Sequence, residues 1–270
     1  MILLIGDLDR EEFRTLRPAL EACAPCLVAQ CPAQALTALE AACNRASAGP
    51  LEPVWIVLAQ AYPGQFSPDE VERLRRAAPL APVVVIEGPW SAGPWRSGRP
   101  LAGVHRVSWV EAARQISDEW NRFCLGQATG AVWMLPATAS NEERVLAAAQ
   151  LPVVRRQGQV VIGTPQEACY EWISAICQHG GYATVWSRPG ERLRLDGPWK
   201  AIFDADGWEE SSESRWAELR NLAAQVRGGP VVVLAGQPRP EDCQHALAAG
   251  GTAVLNKPVA VEALLTALTP

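Results

Sequence analysis

Along this chain, short runs of consecutive apolar residues alternate with stretches in which apolar positions recur every three or four residues. The first kind reads as strands buried on both faces of a parallel sheet, the second as helices laid against that sheet. Apolar runs fall at 1–5, 26–29, 55–58, 82–86 and 104–107, and a second set at 159–162, 183–186, 200–203, 231–234 and 252–255. Between the first set lie a helix with Phe13, Leu16 and Leu20 facing inward, helices over 32–46 and 69–77, and a closing helix over 110–123. Asp9 and Glu12 are expected to cap the first of these. Between the second set, one helix carries Cys169, Trp172, Ile173 and Ile176 on one face and stops at Gly180-Gly181. Thr164-Pro165-Gln166-Glu167 before it reads as a capping box with proline at the first helical position. The following helices carry Trp216, Leu219, Leu222, Ala223 and Val226, then Cys243, Ala246, Leu247 and Gly250, then Val261, Leu264, Leu265 and Leu268.

Strands alternating with helices imply right-handed βαβ crossovers and doubly wound parallel sheets. The same plan occurs twice, which predicts a domain over 1–124, a connection over 125–158 with a helix around 141–150, and a second domain over 159–270. Two places break the plan. Residues 87–103 (EGPWSAGPWRSGRPLAG) form a Gly/Pro-rich loop where a fourth helix is due, and 187–199 (SRPGERLRLDGPW) is too rich in Pro, Gly and charge for a full amphipathic helix.

Composition adds a few exclusions. The 270 residues suit two ordinary domains, and 49% apolar with 20% charged residues fits a globular chain. A formal charge of −5 with scattered Lys and Arg offers no footprint for nucleic acid. No apolar run approaches the roughly 18–20 residues that span a bilayer. The start, MILLIGDLDREE, reads as a strand and not as a signal peptide, so the expected compartment is the cytoplasm. Cys23, Cys26 and Cys31 show C-x2-C-x4-C spacing, but they sit at a helix end and on either side of a strand, so they point differently and read as core residues. His105, His179 and His245 stand in no nucleophile motif. Eleven tryptophans are many; three lie in repeated Gly-Pro-Trp, at Trp90, Trp95 and Trp199. They read as anchors pinning loops to the sheet edges, with a recognition surface at the loop of Trp90 and Trp95 as the alternative.

The stretch 230–268 places strand, helix, strand, Lys257-Pro258 and helix in that order, and it resembles the closing half of a two-component receiver domain. Tyr62-Pro63-Gly64 is similar to the Pro-Gly turn after a receiver's third strand. The resemblance implies two flavodoxin-like (CheY-like) doubly wound sheets of five parallel strands in tandem. It also implies a test of function. A working receiver phosphorylates an aspartate at the end of its third strand. That chemistry needs Mg²⁺ held by the aspartate and an acid pair after the first strand, a hydroxyl after the fourth, and a lysine after the fifth.

In the second copy Asp204 matches the acceptor and Lys257 the lysine, with Asp206 nearby. Gly163 and Thr164 occupy the acid pair, and Ala235 the hydroxyl position. In the first copy Ala59 takes the acceptor position, Gly6 and Asp7 the acid pair, Glu87 the hydroxyl, and Ser108-Trp109 the Lys-Pro. The resemblance therefore implies a pseudo-receiver tandem of bacterial signalling: no enzyme, no cofactor, no metal, and a degenerate phosphoacceptor site at Asp204, Asp206 and Lys257. Its partners are expected to be other protein chains, with a homodimer open and neither nucleic acid nor membrane. Binding would use the face over 240–268 or the tryptophan loops. The alternative is a binder of small molecules or nucleotides, or an enzyme, using the crevice at the strands' carboxyl ends, although neither G-x-G-x-x-G nor a P-loop is present.

Overall fold

The computed structural model describes residues 1–45, 52–91, 101–125, 156–195, 197–208 and 212–269, together with Trp133, Leu135, Thr138, Ala139, Ser140 and Glu143. The chain divides into two compact units, Met1–Leu151 and Pro152–Pro270. In the first, β1 (Ile2–Ile5), β2 (Cys26–Ala29), β3 (Trp55–Gln60), β4 (Val83–Glu87) and β5 (His105–Ser108) form one parallel sheet in the order β2-β1-β3-β4-β5. The helices are α1 (Leu16–Glu21), α2 (Pro32–Arg45), α3 (Pro68–Ala77) and α4 (Trp109–Cys124). β1 and β3 are buried along their whole length, which is why both read as unbroken apolar runs. Alternate residues feed two cores. Leu3, Ile5, Ile56 and Leu58 pack with α2 and α3, while Ile2, Leu4, Trp55 and Val57 pack with α1 and α4.

The second unit repeats the order. β6 (Gly158–Gly163), β7 (Tyr182–Ser187), β8 (Trp199–Asp204), β9 (Val231–Ala235) and β10 (Ala253–Asn256) run as β10-β9-β8-β6-β7, all parallel. α5 (Glu167–His179) and α8 (Val261–Ala267) cover one face; α6 (Ser212–Gln225) and α7 (Pro240–Ala248) cover the other. Each sheet reverses strand order beside its first strand, the flavodoxin-like arrangement, which opens a crevice at the carboxyl ends of the first and third strands. The described residues of 188–198 form no helix; Leu193 and Leu195 lie on the α6 face of the sheet instead.

Several local expectations are corrected. Asp9 and Glu12 do not cap α1: a 3-10 turn over Glu11–Phe13 precedes the helix, and Asp7 Oδ1 accepts the Asp9 amide. Thr164 does not box α5, which starts at Glu167; its hydroxyl is drawn to Asp204. Trp172, Leu247 and Val261, read as inward, are 38%, 52% and 36% exposed. Trp133, inside the stretch read as connection, is buried against Trp55, and its amide donates to Glu119 Oε2. The helix expected around 141–150 lies outside the described residues apart from Glu143.

Candidate functional site

β8 is the middle strand of its sheet, so Asp204 at its end is buried on both sides and fully shielded from water. A carboxylate there needs partners for every lone pair it exposes to the interior. It has them. Oδ1 accepts from the Lys257 ammonium at 2.5 Å and from the Asp206 amide at 3.0 Å; Oδ2 accepts from the Thr164 hydroxyl at 3.2 Å. Its backbone carbonyl accepts from Trp208 Nε1 at 2.7 Å, and that indole stacks on Phe203. Lys257 is held by its own amide, which donates to Ala235 O, and its peptide bond to Pro258 is cis. The ammonium also lies 3.0 Å from Asp206 Oδ2. Burial works against the Lys257 charge, but the hydrogen bonds and charges of Asp204 and Asp206 outweigh it, so its pKa is raised. The three residues expected to form the site thus meet, with one lysine between two carboxylates.

Register explains the neighbours. β6 and β8 pair Gly163 with Phe203, so the next step sets Thr164 beside Asp204, where a metal-binding acid would stand. Gly236, after β9, leaves room for Asp206: a side chain there would begin 3.0 Å from Asp206 Oδ2. Ala235 supplies no hydroxyl. Two residues escaped the sequence reading. Arg215, on α6, donates from Nη1 to Ala205 O at 3.1 Å and from Nη2 to Asp242 Oδ1 at 3.2 Å, with its guanidinium 4.3 Å from the Trp216 ring. It fastens the loop after Asp204 to the start of α7. Cys169, in the first turn of α5, has its thiol pushed up in pKa by burial and by Asp204. No spacing in the sequence ties either to Asp204. A narrow cleft nearby is lined by Ser187, Arg188, Glu191, Trp208, Glu218 and Gln225 among others.

The first unit lacks this site. β1 pairs Ile5 with Leu58, which sets Gly6, not Asp7, beside Ala59, and the acid-pair positions become Ile5 and Gly6. A side chain at Gly6 would begin 2.7 Å from Ala59 O, with the backbone at φ 137°, so nothing larger fits. Asp7 is exposed. Glu87 is paired with Arg106, and its carboxyl is pushed up in pKa by burial against that arginine's pull. In the loop after β4, Trp90 is 65% exposed. Ser91 pins the loop, donating from Oγ to Gln60 O at 2.9 Å, and Leu101 and Val104 close its far end in the core. Trp95 falls among 92–100, outside the described residues. Cys23 and Cys26 donate to the carbonyls of Ala19 and Ala24, and no group of His, Cys, Asp and Glu among the described residues is arranged to hold a metal. No helix among the described residues is long and apolar enough to cross a membrane.

No protein-family model matches the chain, and no curated protein matches it. Solved structures do. The chemotaxis response regulator CheY4 of Vibrio cholerae is 22% identical with a TM-score of 0.34, covering 42% of this chain and 97% of that one. A probable two-component system response regulator/GGDEF domain protein is 14% identical with a TM-score of 0.32, covering 98% of this chain and 94% of that one. What decides the fold is the strand order, β2-β1-β3-β4-β5 and its repeat, with Asp204 and Lys257 facing each other at the carboxyl edge of the second sheet. The chain carries two flavodoxin-like domains in tandem. In the second of them Asp204, at the end of the third strand, is satisfied from within; in the first the corresponding strand position holds Ala59.

Proposed function

We propose that this tandem is a signalling module that acts by binding other protein chains and is not switched by phosphorylation of Asp204. One observation carries the reading: the Lys257 ammonium lies between the two carboxylates of the site, 2.5 Å from Asp204 and 3.0 Å from Asp206. Mg²⁺ demands near-octahedral oxygen ligands and gives up water reluctantly, so phosphoryl transfer to an aspartate depends on several carboxylates left open to it. Here Thr164 stands where an acid would hold the metal, and Ala235 where a hydroxyl would hold the phosphoryl group. The internal cation supports a site kept for structure: it neutralises a buried carboxylate and ties the loops after β8 and β10 together. The first unit, with Ala59 and Gly6, supports the same conclusion independently. The expected output surface is the α7–β10–α8 face, where Leu247 and Val261 are exposed. The test is incubation with a small-molecule phosphodonor and Mg²⁺, followed by intact mass.

A further inference from the structure

Among the described residues, β7 is an edge strand that pairs only with β6. The other edge strands, β2, β5 and β10, have four residues each, all buried or half-buried. β7 has six and turns Ala183 and Val185 to solvent, Val185 being 37% exposed. Its sequence, YATVWS, contains none of the charges or prolines with which proteins blunt such edges. Among the described residues, no backbone group on the side away from β6 has a partner. The strand's other face is firmly held: the Thr184 and Ser174 hydroxyls are 2.7 Å apart, Tyr170 stacks on Trp186 at 5.2 Å, and Trp186 Nε1 donates to Thr164 O. A rigid, unpaired edge offers a template whose ordering cost is already met.

The segment that follows adds charge. Leu193 and Leu195 pack into the core while Arg192 and Arg194 between and before them are exposed. The Leu193 amide donates to Gln225 Oε1 at 2.9 Å, which pins the segment. Arg188 lies over the Trp186 ring at 4.4 Å. Glu191 is the one acid over 188–195, and its carboxylate accepts from the Arg188 amide. Three exposed arginines, Arg188, Arg192 and Arg194, therefore follow the edge strand along the chain, with Glu191 and Asp196 in the same stretch, in a protein whose net charge is −5. We propose that β7 is a strand-addition site for an extended segment of another protein, with apolar residues over Ala183 and Val185 and carboxylates toward Arg188, Arg192 and Arg194. The site adds a surface to the binding role proposed above and does not depend on the state of Asp204.

Fluorescence anisotropy of the full chain with two labelled peptides of equal length tests it, one alternating valine and glutamate, the other valine and lysine. The acidic peptide should bind, and added salt should weaken it. Arg192→Glu with Arg194→Glu, and separately Val185→Lys, should each lower its affinity by about tenfold or more while circular dichroism and the melting curve stay unchanged. Should Val185→Lys fail to fold, the double arginine variant, which alters only exposed side chains, carries the test. Equal binding of both peptides, no binding at about 1 mM, or acidic binding indifferent to both variants would overturn the proposal. So would a homodimer in sedimentation that Val185→Lys dissociates, because it assigns the edge to a second copy.

Discussion

Lys257 is the residue on which the second site depends most. Its Lys257→Met replacement leaves Asp204, 1% exposed at its side chain, as a buried charge without its cation, and should cost about 3–5 kcal/mol in urea unfolding. Because its pKa is raised in the folded state, the stability it contributes is fully present below the ordinary lysine value, about 10.4, and is lost as pH rises through the higher folded value. The wild type should thus lose stability in that alkaline range more steeply than Lys257→Met; parallel curves would show that the pairing adds nothing. Trp55 and Trp90 make a second contrast. Trp55 is fully buried, edge-on to Trp120 at 5.3 Å and Trp133 at 4.9 Å, so Trp55→Ala should cost about 3–5 kcal/mol. Trp90→Ala, at an exposed position, should stay within about 0.5 kcal/mol. Denaturant midpoints of both variants check this. The sequence could show Asp204 and Lys257, since each sits at a strand end recognisable by its apolar run. It placed Thr164 beside the site but could not show that its hydroxyl donates to Asp204, 40 positions away, nor that Arg215 meets Asp242, 27 positions away, because both contacts arise only from the register of β6 on β8 and the packing of α6 beside α7.

At the scale of elements, strands were more legible than helix faces. A strand buried on both sides announces itself by composition alone, as VVVL does in β9. A helix at the sheet's margin does not: α7 buries Ala246 but turns Leu247 outward, because only a narrow stripe of a short helix meets the sheet. Caps were misread where the helix begins later than its signal: Thr164 Oγ1 accepts the Gln166 amide at 3.3 Å while donating to Asp204, but α5 starts only at Glu167. The cap of α3, at Ser67-Pro68-Asp69-Glu70, was not among the expectations, yet it forms: Glu70 N donates to Ser67 Oγ, and Glu70 Oε2 accepts from Ser67 N. Ser67→Ala should lower stability by about 1 kcal/mol. The backbone and hydroxyl bonds of Ser67 lower the Glu70 pKa, so its contribution is present above the ordinary glutamate value of about 4.3 and is lost as pH falls through the lowered folded value. Urea midpoints of wild type and Glu70→Gln should converge in acid; a constant gap would contradict the assignment.

For the whole molecule, each unit carries its own pair of cores on its own closed set of five strands, so each should fold alone. Separate chains over 1–151 and 152–270 should each melt cooperatively, and limited proteolysis should cut between Trp133, which is buried in the first core, and Arg156, whose amide donates to Gly180 O in the second. Failure of both fragments to fold would make the tandem one obligate body. The proposed role of the tandem turns on Asp204. With Lys257 between Asp204 and Asp206, and Thr164 and Ala235 in place of an acid and a hydroxyl, acetyl phosphate and Mg²⁺ should leave the intact mass of the full chain unchanged. A stable adduct of one phosphoryl mass, mapped to Asp204 and absent from Asp204→Asn, would contradict it.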